Sequence, residues 1–200
     1  INGQDIDYGD FWWEPGIGIY SNGSCHFSSL PAVAVAGCAA LQLEPVVRTL
    51  QYSIPKDLPQ SAVVSEHVGL VFSATKQVKP NKATVICDCA AVVNGIGHSP
   101  AQRMGHRNAM GGFWSEVGGA VQHIHKVKAH TSLQESEAIG QGKYFKGNNL
   151  VDLLAKDATG RHNESEMSAY LKTMDPKRKL LGEVFHRLAE IWGPFQPPSH

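Results

Sequence analysis

Residues 32–43 carry the apolar run AVAVAGCAALQL, which restricts the folds open to this chain. The β-branched Val33 and Val35 and the glycine near the middle favour a buried strand over a helix. Residues 16–21 and 47–54 have the composition of further strands, and only short turns separate the three segments. We therefore predict that the chain opens with an antiparallel three-stranded meander.

The hydrophobic pattern changes to a helical period after residue 60. Within residues 61–78, Val64, Val68 and Phe72 recur near helical spacing. Further strands are predicted at 83–87 and 123–128, helices at 89–96, 112–121 and 148–159, and loops at 97–112 and 129–147. The order β-β-β-α-β-α-α-β-α predicts an α/β fold built on a mixed sheet with helices on both faces.

Length and composition suit one domain with an appendage. The chain has 200 residues and a formal net charge of 0, so it lacks the broad basic field of many nucleic-acid binders. We predict a lead-in at 1–15, the domain at 16–160, and an accessory helix with a tail at 161–200. The chain starts at Ile1 and has no signal-peptide pattern and no membrane-length apolar run. We therefore expect an intracellular fragment of a longer protein, in cytoplasm or nucleus, with no membrane partner.

The cysteines are Cys25, Cys38, Cys87 and Cys89, and they form no C-x-x-C pair. Cys87 and Cys89 flank an aspartate at a predicted strand end, so their side chains are expected to point to opposite faces. Buried thiols are therefore favoured over a zinc site.

Three acidic residues lie where elements of the predicted sheet meet. Asp88 ends the strand ATVIC, Glu66 lies within an apolar helix, and Asp152 lies on the last helix of the domain. Each one alone is explained by an acid that is exposed at a rim or paired with a base. Together they come from three elements that a mixed sheet could bring to one edge. Converging carboxylates repel one another, and Mg²⁺ or Mn²⁺ relieves that repulsion. Two such ions can activate water and stabilise the leaving oxygen of a phosphodiester.

Six stretches resemble, in chain order from Gly18 to Thr159, the motifs of type 1 ribonuclease H (RNase H) domains attached to retroelement reverse transcriptases. The first three are IYSNGS for the first strand and its D-G-S turn, SEHVGL for the helix glutamate, and ATVICDCAAVVNGI for the strand aspartate and the next helix. The other three are GFWSEV for the Trp helix, HKVKAHT for the last strand with its histidine, and GNNLVDLLAKDA for the last helix. The resemblance implies a five-stranded mixed sheet. It also implies cleavage of the RNA strand of RNA–DNA hybrids with two Mg²⁺ ions, for which Mn²⁺ can substitute.

The resemblance further implies the site residues. Glu66, Asp88 and Asp152 match three of the four metal-binding acids, and His130 matches a mobile histidine that assists proton transfer or product release. Asn22 matches the first aspartate, the acid expected to bridge both ions. An amide keeps the shape of Asp but loses its charge and one acceptor oxygen, so we expect severely impaired hydrolysis. A purely structural explanation is that Asn suits a tight turn.

Other positions depart from the family pattern. Val63 and Val64 replace polar or basic residues before the helix glutamate. Cys89 replaces a Ser or Asn after the strand aspartate, and Asn149 replaces a Glu in the last motif. A drifting retroelement copy would accumulate all of these changes, whereas a deliberate inactivating substitution would account for Asn22 alone.

Donors for a hybrid are spread along the chain, and a hybrid is recognised largely through its shape, 2′-hydroxyls and phosphates. The candidate contacts are Gly23, Ser24, Asn94, Arg103 and Arg107, with local positive charge from Lys126, Lys128 and Lys146. Trp114 is predicted to anchor the core rather than to stack on bases. His123 and His125 share one strand face and are predicted to be an ordinary surface pair rather than a metal site.

The sequence is compatible with three functions. The first is an RNase H endonuclease. The second is a catalytically inactive descendant that binds hybrid or a protein partner, such as the rest of a reverse transcriptase polyprotein, and Asn22 favours it. The third is another member of the wider superfamily, such as an integrase-type nuclease. Glu66, on a helix between the third and fourth predicted strands, argues against the third.

Overall fold

The computed structural model describes residues 6–7, 11–29, 34–78, 80–160 and 183. The chain divides into two compact units, Ile1–His162 and Asn163–His200. Glu183 is the part of the second unit that is described, and it is helical. The rest of the predicted accessory helix and tail lies outside the described residues, so the domain limits stay a prediction.

The described part of the first unit contains six strands and six helices. The strands are β1 (Ile6–Asp7), β2 (Ile19–His26), β3 (Val35–Gln42), β4 (Val47–Ser53), β5 (Ala83–Cys87) and β6 (Val121–Lys126). The helices are α1 (Ala62–Thr75), α2 (Ala90–Gly97), α3 (Pro100–Met104), α4 (Gly111–Val117), α5 (Leu133–Ala138) and α6 (Gly142–Gly160). None of these helices is both long enough and apolar enough to cross a membrane.

All six strands belong to one sheet in the order β1-β4-β3-β2-β5-β6. Strands β2, β3 and β4 form the antiparallel meander, and β5 and β6 continue the sheet in parallel with β2. This arrangement confirms the predicted five-stranded mixed sheet. The two-residue strand β1 adds a sixth member, parallel to β4, from the segment predicted as a lead-in.

Helices pack closely on both faces of the sheet, because glycines let the backbones approach. On one face, a Cβ at Gly23 of β2 would lie 2.3 Å from the backbone nitrogen of Glu66 in α1. On the other face, a Cβ at Gly37 of β3 would lie 2.7 Å from the backbone nitrogen of Thr159 in α6. Helices α1 and α6 therefore hold the central strands between them, as predicted.

The core confirms the structural role predicted for Trp114. This residue is 2 % exposed and packs with Leu70 of α1 and Val85 of β5. Phe11 and Trp13, from the predicted lead-in, are buried in the same cluster. The indole Nε1 of Trp13 donates a hydrogen bond to the Phe72 carbonyl at 3.0 Å, so this segment packs against the domain.

The predicted position of Asn22 at a turn is wrong. Strand β2 continues to His26, and Asn22 lies inside it, opposite Ala39 of β3. The turn follows at residues 27–29, where Phe27 has a positive φ of 55°. Pairing with β3 extends the strand through the polar residues that suggested a turn, so Gly23 and Ser24 also belong to the strand.

Two of the predicted loops contain short helices. Helix α3 lies within 97–112, and α5 lies within 129–147. Ser99 and Ser132 each form a capping box, with Gln102 and Glu135 respectively. These reciprocal side-chain bonds satisfy the first backbone N–H groups of helices too short for their hydrophobic period to be recognised. Helix α6 also begins six residues before its predicted start, at Gly142.

We expect Gly37→Ala to destabilise the first unit by about 1–3 kcal/mol, because its methyl group would overlap the backbone of α6. Urea unfolding followed by tryptophan fluorescence measures the change. Gly119→Ala is the matched control, since a Cβ there meets no atom within 4 Å. Equal stability of the two variants would contradict the close packing of α6 on β3.

Candidate functional site

Helix α1 places Glu66 against strand β2. The Ser61 side chain caps this helix by accepting a hydrogen bond from the Val64 backbone N–H at 3.2 Å. The Glu66 side chain is buried, with 7 % exposure. Its carboxyl group accepts hydrogen bonds from the Gly23 backbone N–H and from the Cys87 thiol, whose Sγ lies 3.8 Å from Oε2.

Burial is the main reason that the pKa of Glu66 rises, to about 8, and the charges of Asp88 and Asp152 raise it further. The two hydrogen bonds oppose this rise but do not cancel it. Glu66 is therefore mostly protonated at neutral pH when no cation is bound. Its electrostatic coupling to Asp88 and Asp152 also means that the three acids lie near one another, as the sequence predicts.

Asp88 follows the last residue of β5 and is half-buried. Burial raises its pKa, while a hydrogen bond from Asn148 and the charge of His130 lower it. The Asn148 Nδ2 donates to Asp88 Oδ2 at 3.4 Å, and the Asn148 Oδ1 is buried without a partner. Asn148 is not among the predicted site residues, although its position four residues before Asp152 puts both on one face of α6.

Asp152 and His130 lie with Asp88 around one cleft. The cleft is lined by Asp88, Val127, Lys128, His130, Thr131, Ser136, Gln141, Tyr144, Phe145, Asn148, Asn149 and Asp152. His130 is exposed and has a positive φ of 49°. Lys156, one helical turn beyond Asp152, donates from Nζ to Asp152 Oδ2 at 2.6 Å. Asp152 thus already has a positive partner from the chain.

Asn22 and Glu66 lie outside the lining of this cleft. Asn22 is buried, with 4 % exposure. It directly precedes Gly23 in β2, and the Gly23 backbone N–H donates a hydrogen bond to the Glu66 carboxyl group. The structure therefore links Asn22 to Glu66 through the backbone of β2, and it links Glu66 to Asp88 and Asp152 through their charges.

These residues do not fit a two-metal centre in their present arrangement. Within the described parts of the chain, no group of three or more His, Cys, Asp or Glu side chains is placed to hold a metal ion. Asn22 contributes no charge, and Lys156 neutralises Asp152. Glu66, Asp88 and Asp152 are close enough for their charges to interact, but the described side chains are not arranged as ligands of one metal ion.

The predicted substrate contacts have different surroundings. The Gly23 N–H and the Ser24 carbonyl are used within the fold, since Ser65 Oγ donates to the latter at 3.2 Å. Asn94 and Arg107 are exposed, in α2 and after α3 respectively. Arg103 lies in α3, not in a loop, and its guanidinium carbon lies 5.5 Å from the Trp114 ring centre.

The remaining predicted cations and histidines are in β6, just after it, or in α6. Lys126, Lys128 and Lys146 are exposed, and Lys128 lines the cleft. His123 and His125 share a strand face, with ring centres 6.3 Å apart. This confirms that the two rings share a strand face, while the half-buried His125 has its Nε2 atom buried.

The pKa shift of Glu66 predicts how stability depends on pH. Above pH 4.5 the unfolded chain loses this proton, whereas the folded chain keeps it up to about pH 8. The folded state then binds more protons, so Glu66 lowers the free energy of unfolding as pH rises, by at most about 1.4 kcal/mol per pH unit. We expect Glu66→Gln, measured by urea unfolding in EDTA, to flatten this pH dependence.

The exposed Glu137 of α5 supplies the matched control for that measurement. Glu137→Gln should leave the pH dependence as it is in the parent chain. If Glu66→Gln and the parent chain lose stability with the same slope, the Glu66 carboxyl is not held protonated by burial.

Comparisons with known proteins identify the fold. No model of a known protein family matches the chain, and no curated protein matches it. LC9-RNase H1, described as a type 1 RNase H with the type 2 active-site motif, matches with a TM-score of 0.51 and 20% identity over 74% of each chain. The N-terminal RNase H domain of a Mycobacterium tuberculosis protein, solved as a fusion with maltose-binding protein, matches with a TM-score of 0.48 and 16% identity, over 76% of this chain and 99% of that chain. The likeness to LC9-RNase H1, with the strand order of the sheet, shows that the domain has an RNase H-like fold.

Proposed function

We propose that this chain is an RNase H-like domain that binds RNA–DNA hybrids, and that Asn22 impairs its cleavage of the RNA strand. The proposal is supported above all by the convergence of Glu66, Asp88 and Asp152 from three separate elements. A fold needs no such cluster, because like charges brought together cost free energy. An inherited phosphodiesterase centre gives a reason for it.

The side chains around the cleft have complementary roles in this proposal. Asp88 and Asp152 line the wall that faces the scissile phosphate, and the Asn148 amide orients the Asp88 carboxylate. His130, exposed at the cleft, is available to accept or deliver a proton near the leaving group. Three residues are candidate contacts for the hybrid away from the cleft: the exposed Asn94 and Arg107, and Arg103.

Asn22 is the reason that we propose impaired hydrolysis. A neutral amide in β2 leaves the acidic cluster one negative charge short, and cation affinity depends on that charge. The cofactor in this proposal is Mg²⁺, bound as two ions, for which Mn²⁺ can substitute. We assign these ions to a form of the chain that has a carboxylate at position 22. A carboxylate in place of Asn22, together with Glu66, Asp88 and Asp152, would then form their ligand set.

A catalytically inactive domain that binds nucleic acid or a protein partner is the second candidate function. The ion pair between Lys156 and Asp152 favours it, because that pair satisfies one acid of the cluster without an added cation. In its nucleic-acid-binding form, this candidate shares hybrid binding with the first and differs in whether position 22 alone prevents cleavage.

The wider context belongs to the same proposal. The six motifs in family order support an origin in a retroelement reverse transcriptase, whose remaining polyprotein would be a partner. An RNA–DNA hybrid substrate is consistent with a place of action in cytoplasm or nucleus.

Asn22→Asp is expected to raise cleavage of a labelled RNA–DNA hybrid by at least about 100-fold in Mg²⁺ or Mn²⁺, since it restores the missing charge beside Glu66. Gel analysis of the labelled RNA strand over time measures the rate. Chelation by EDTA should abolish the gain.

Asn81→Asp is the matched control, because it adds a carboxylate at an exposed position before β5. It should not change cleavage. If Asn22→Asp folds and binds hybrid but does not cleave it, the endonuclease proposal is wrong and the inactive binding domain is the better description. If neither form binds hybrid, the endonuclease and the inactive hybrid-binding domain are both wrong, and an inactive domain that binds a protein partner is the better description.

A further inference from the structure

Four side chains beside the cleft form one continuous strip, which we call the histidine–tyrosine strip: His123, His125, Tyr144 and Lys143. The ring centres of His123 and His125 are 6.3 Å apart, and those of His125 and Tyr144 are 4.4 Å apart. The Lys143 ammonium lies 4.8 Å from the centre of the Tyr144 ring. The strip therefore joins strand β6 to the first turn of α6.

The strip combines the Lys143 ammonium with aromatic rings and a histidine nitrogen whose hydrogen-bonding capacity is unmet. The Nε2 atom of His125 is buried without a partner. The pKa of His125 is lowered by burial first, and then by His123 and Lys143, so both groups are close enough to act on its charge. None of the four strip residues is acidic, and each can present a cation or an aromatic ring.

The strip is continuous with the cleft. Tyr144 belongs to both, and Lys128 lies in the cleft wall with it. The Gln141 side chain fixes this wall: its Oε1 accepts from the Lys128 backbone N–H at 2.9 Å, and its Nε2 donates to the Lys126 carbonyl at 3.3 Å. A nucleic-acid strand that leaves the cleft would therefore meet a surface whose backbone is fixed by these hydrogen bonds.

Local charge makes a nucleic-acid strand the suitable occupant of this surface. The whole chain has a formal net charge of 0, so phosphate attraction must come from a patch. Two exposed lysines lie here: Lys128 is in the cleft wall with Tyr144, and Lys143 is over the Tyr144 ring. Hydrogen bonds from Ser132 and then the charge of Lys128 lower the pKa of Glu135, so Lys128 already has an acidic neighbour and Lys143 is the main cation of the strip. Cations interleaved with aromatic rings are what proteins use to hold single strands.

We infer that the histidine–tyrosine strip, with Lys128 at its junction with the cleft, binds a single-stranded extension of the hybrid through its phosphates and bases. The inference rests on the proposed function, and it adds a second contact surface to it. Acids in the cleft repel phosphates, so a strand that continues past Asp88 and Asp152 gains by turning onto the cationic side. The strip then selects hybrids with an overhang over blunt ones.

The test is fluorescence anisotropy of the full chain in EDTA with two labelled hybrids. One is a blunt hybrid of about 16 base pairs. The other carries a single-stranded extension of about 8 nucleotides, made separately as RNA and as DNA at each end. We expect one of the extended forms to bind about tenfold more tightly than the blunt form.

Lys143→Gln together with His123→Gln should remove most of that tenfold gain and leave affinity for the blunt hybrid unchanged. Each phosphate that the variant no longer neutralises should reduce the slope of log affinity against log salt by about 0.7. Lys82→Gln, at an exposed lysine before β5, is the matched control and should keep the gain.

The outcomes separate the inference from the proposed function. If no extension tightens binding, or if the strip variant and Lys82→Gln behave alike, the inference is wrong while hybrid binding stands. If the chain binds free single strands through the strip but does not prefer the blunt hybrid over the same DNA duplex, the strip is supported and the proposed function is wrong.

Discussion

The approach of α1 to β2 is the contact on which the site depends. Gly23 has no side chain, so the helix backbone at Glu66 can lie directly against the strand. Ser65 strengthens the contact by donating to the Ser24 carbonyl. Because the helix comes this close, the Glu66 carboxyl is buried beside the Gly23 N–H and the Cys87 thiol. The same contact that positions this acid therefore removes it from water and raises its pKa.

Each acid of the site is satisfied by a different part of the chain. Glu66 is kept protonated by burial, and the Asn148 amide donates to Asp88. Lys156 pairs with Asp152. A half-exposed pair of this kind contributes little to stability, but it offsets the charge that would otherwise repel Asp88. These internal partners therefore reduce the repulsion among the acids without an added cation.

The order of elements and the acidic cluster could be predicted from the sequence, since hydrophobic period and strand-end carboxylates are local signals. The course of β2 could not, because Asn22-Gly-Ser has turn-like composition and becomes a strand only through pairing with β3. Helices α3 and α5 were missed because capping boxes, not apolar stripes, define them. The roles of Asn148, Cys87 and Lys156 depend on distances between elements, which a single sequence does not contain.

The fold and the chemistry of the site place different requirements on individual positions of this chain. Gly23 and Gly37 keep the close approaches on both faces of the sheet. Of the residues that depart from the family pattern, Val64 is a well-buried core residue, whereas Val63 and Asn149 are exposed. A Cβ at either glycine would overlap a helix backbone, so packing restricts these two positions whatever the site does. Position 22 is restricted differently, because an amide and a carboxylate have nearly the same shape and differ in charge. A change between them at Asn22 therefore alters the charge beside Glu66 without altering the packing that holds α1 against β2.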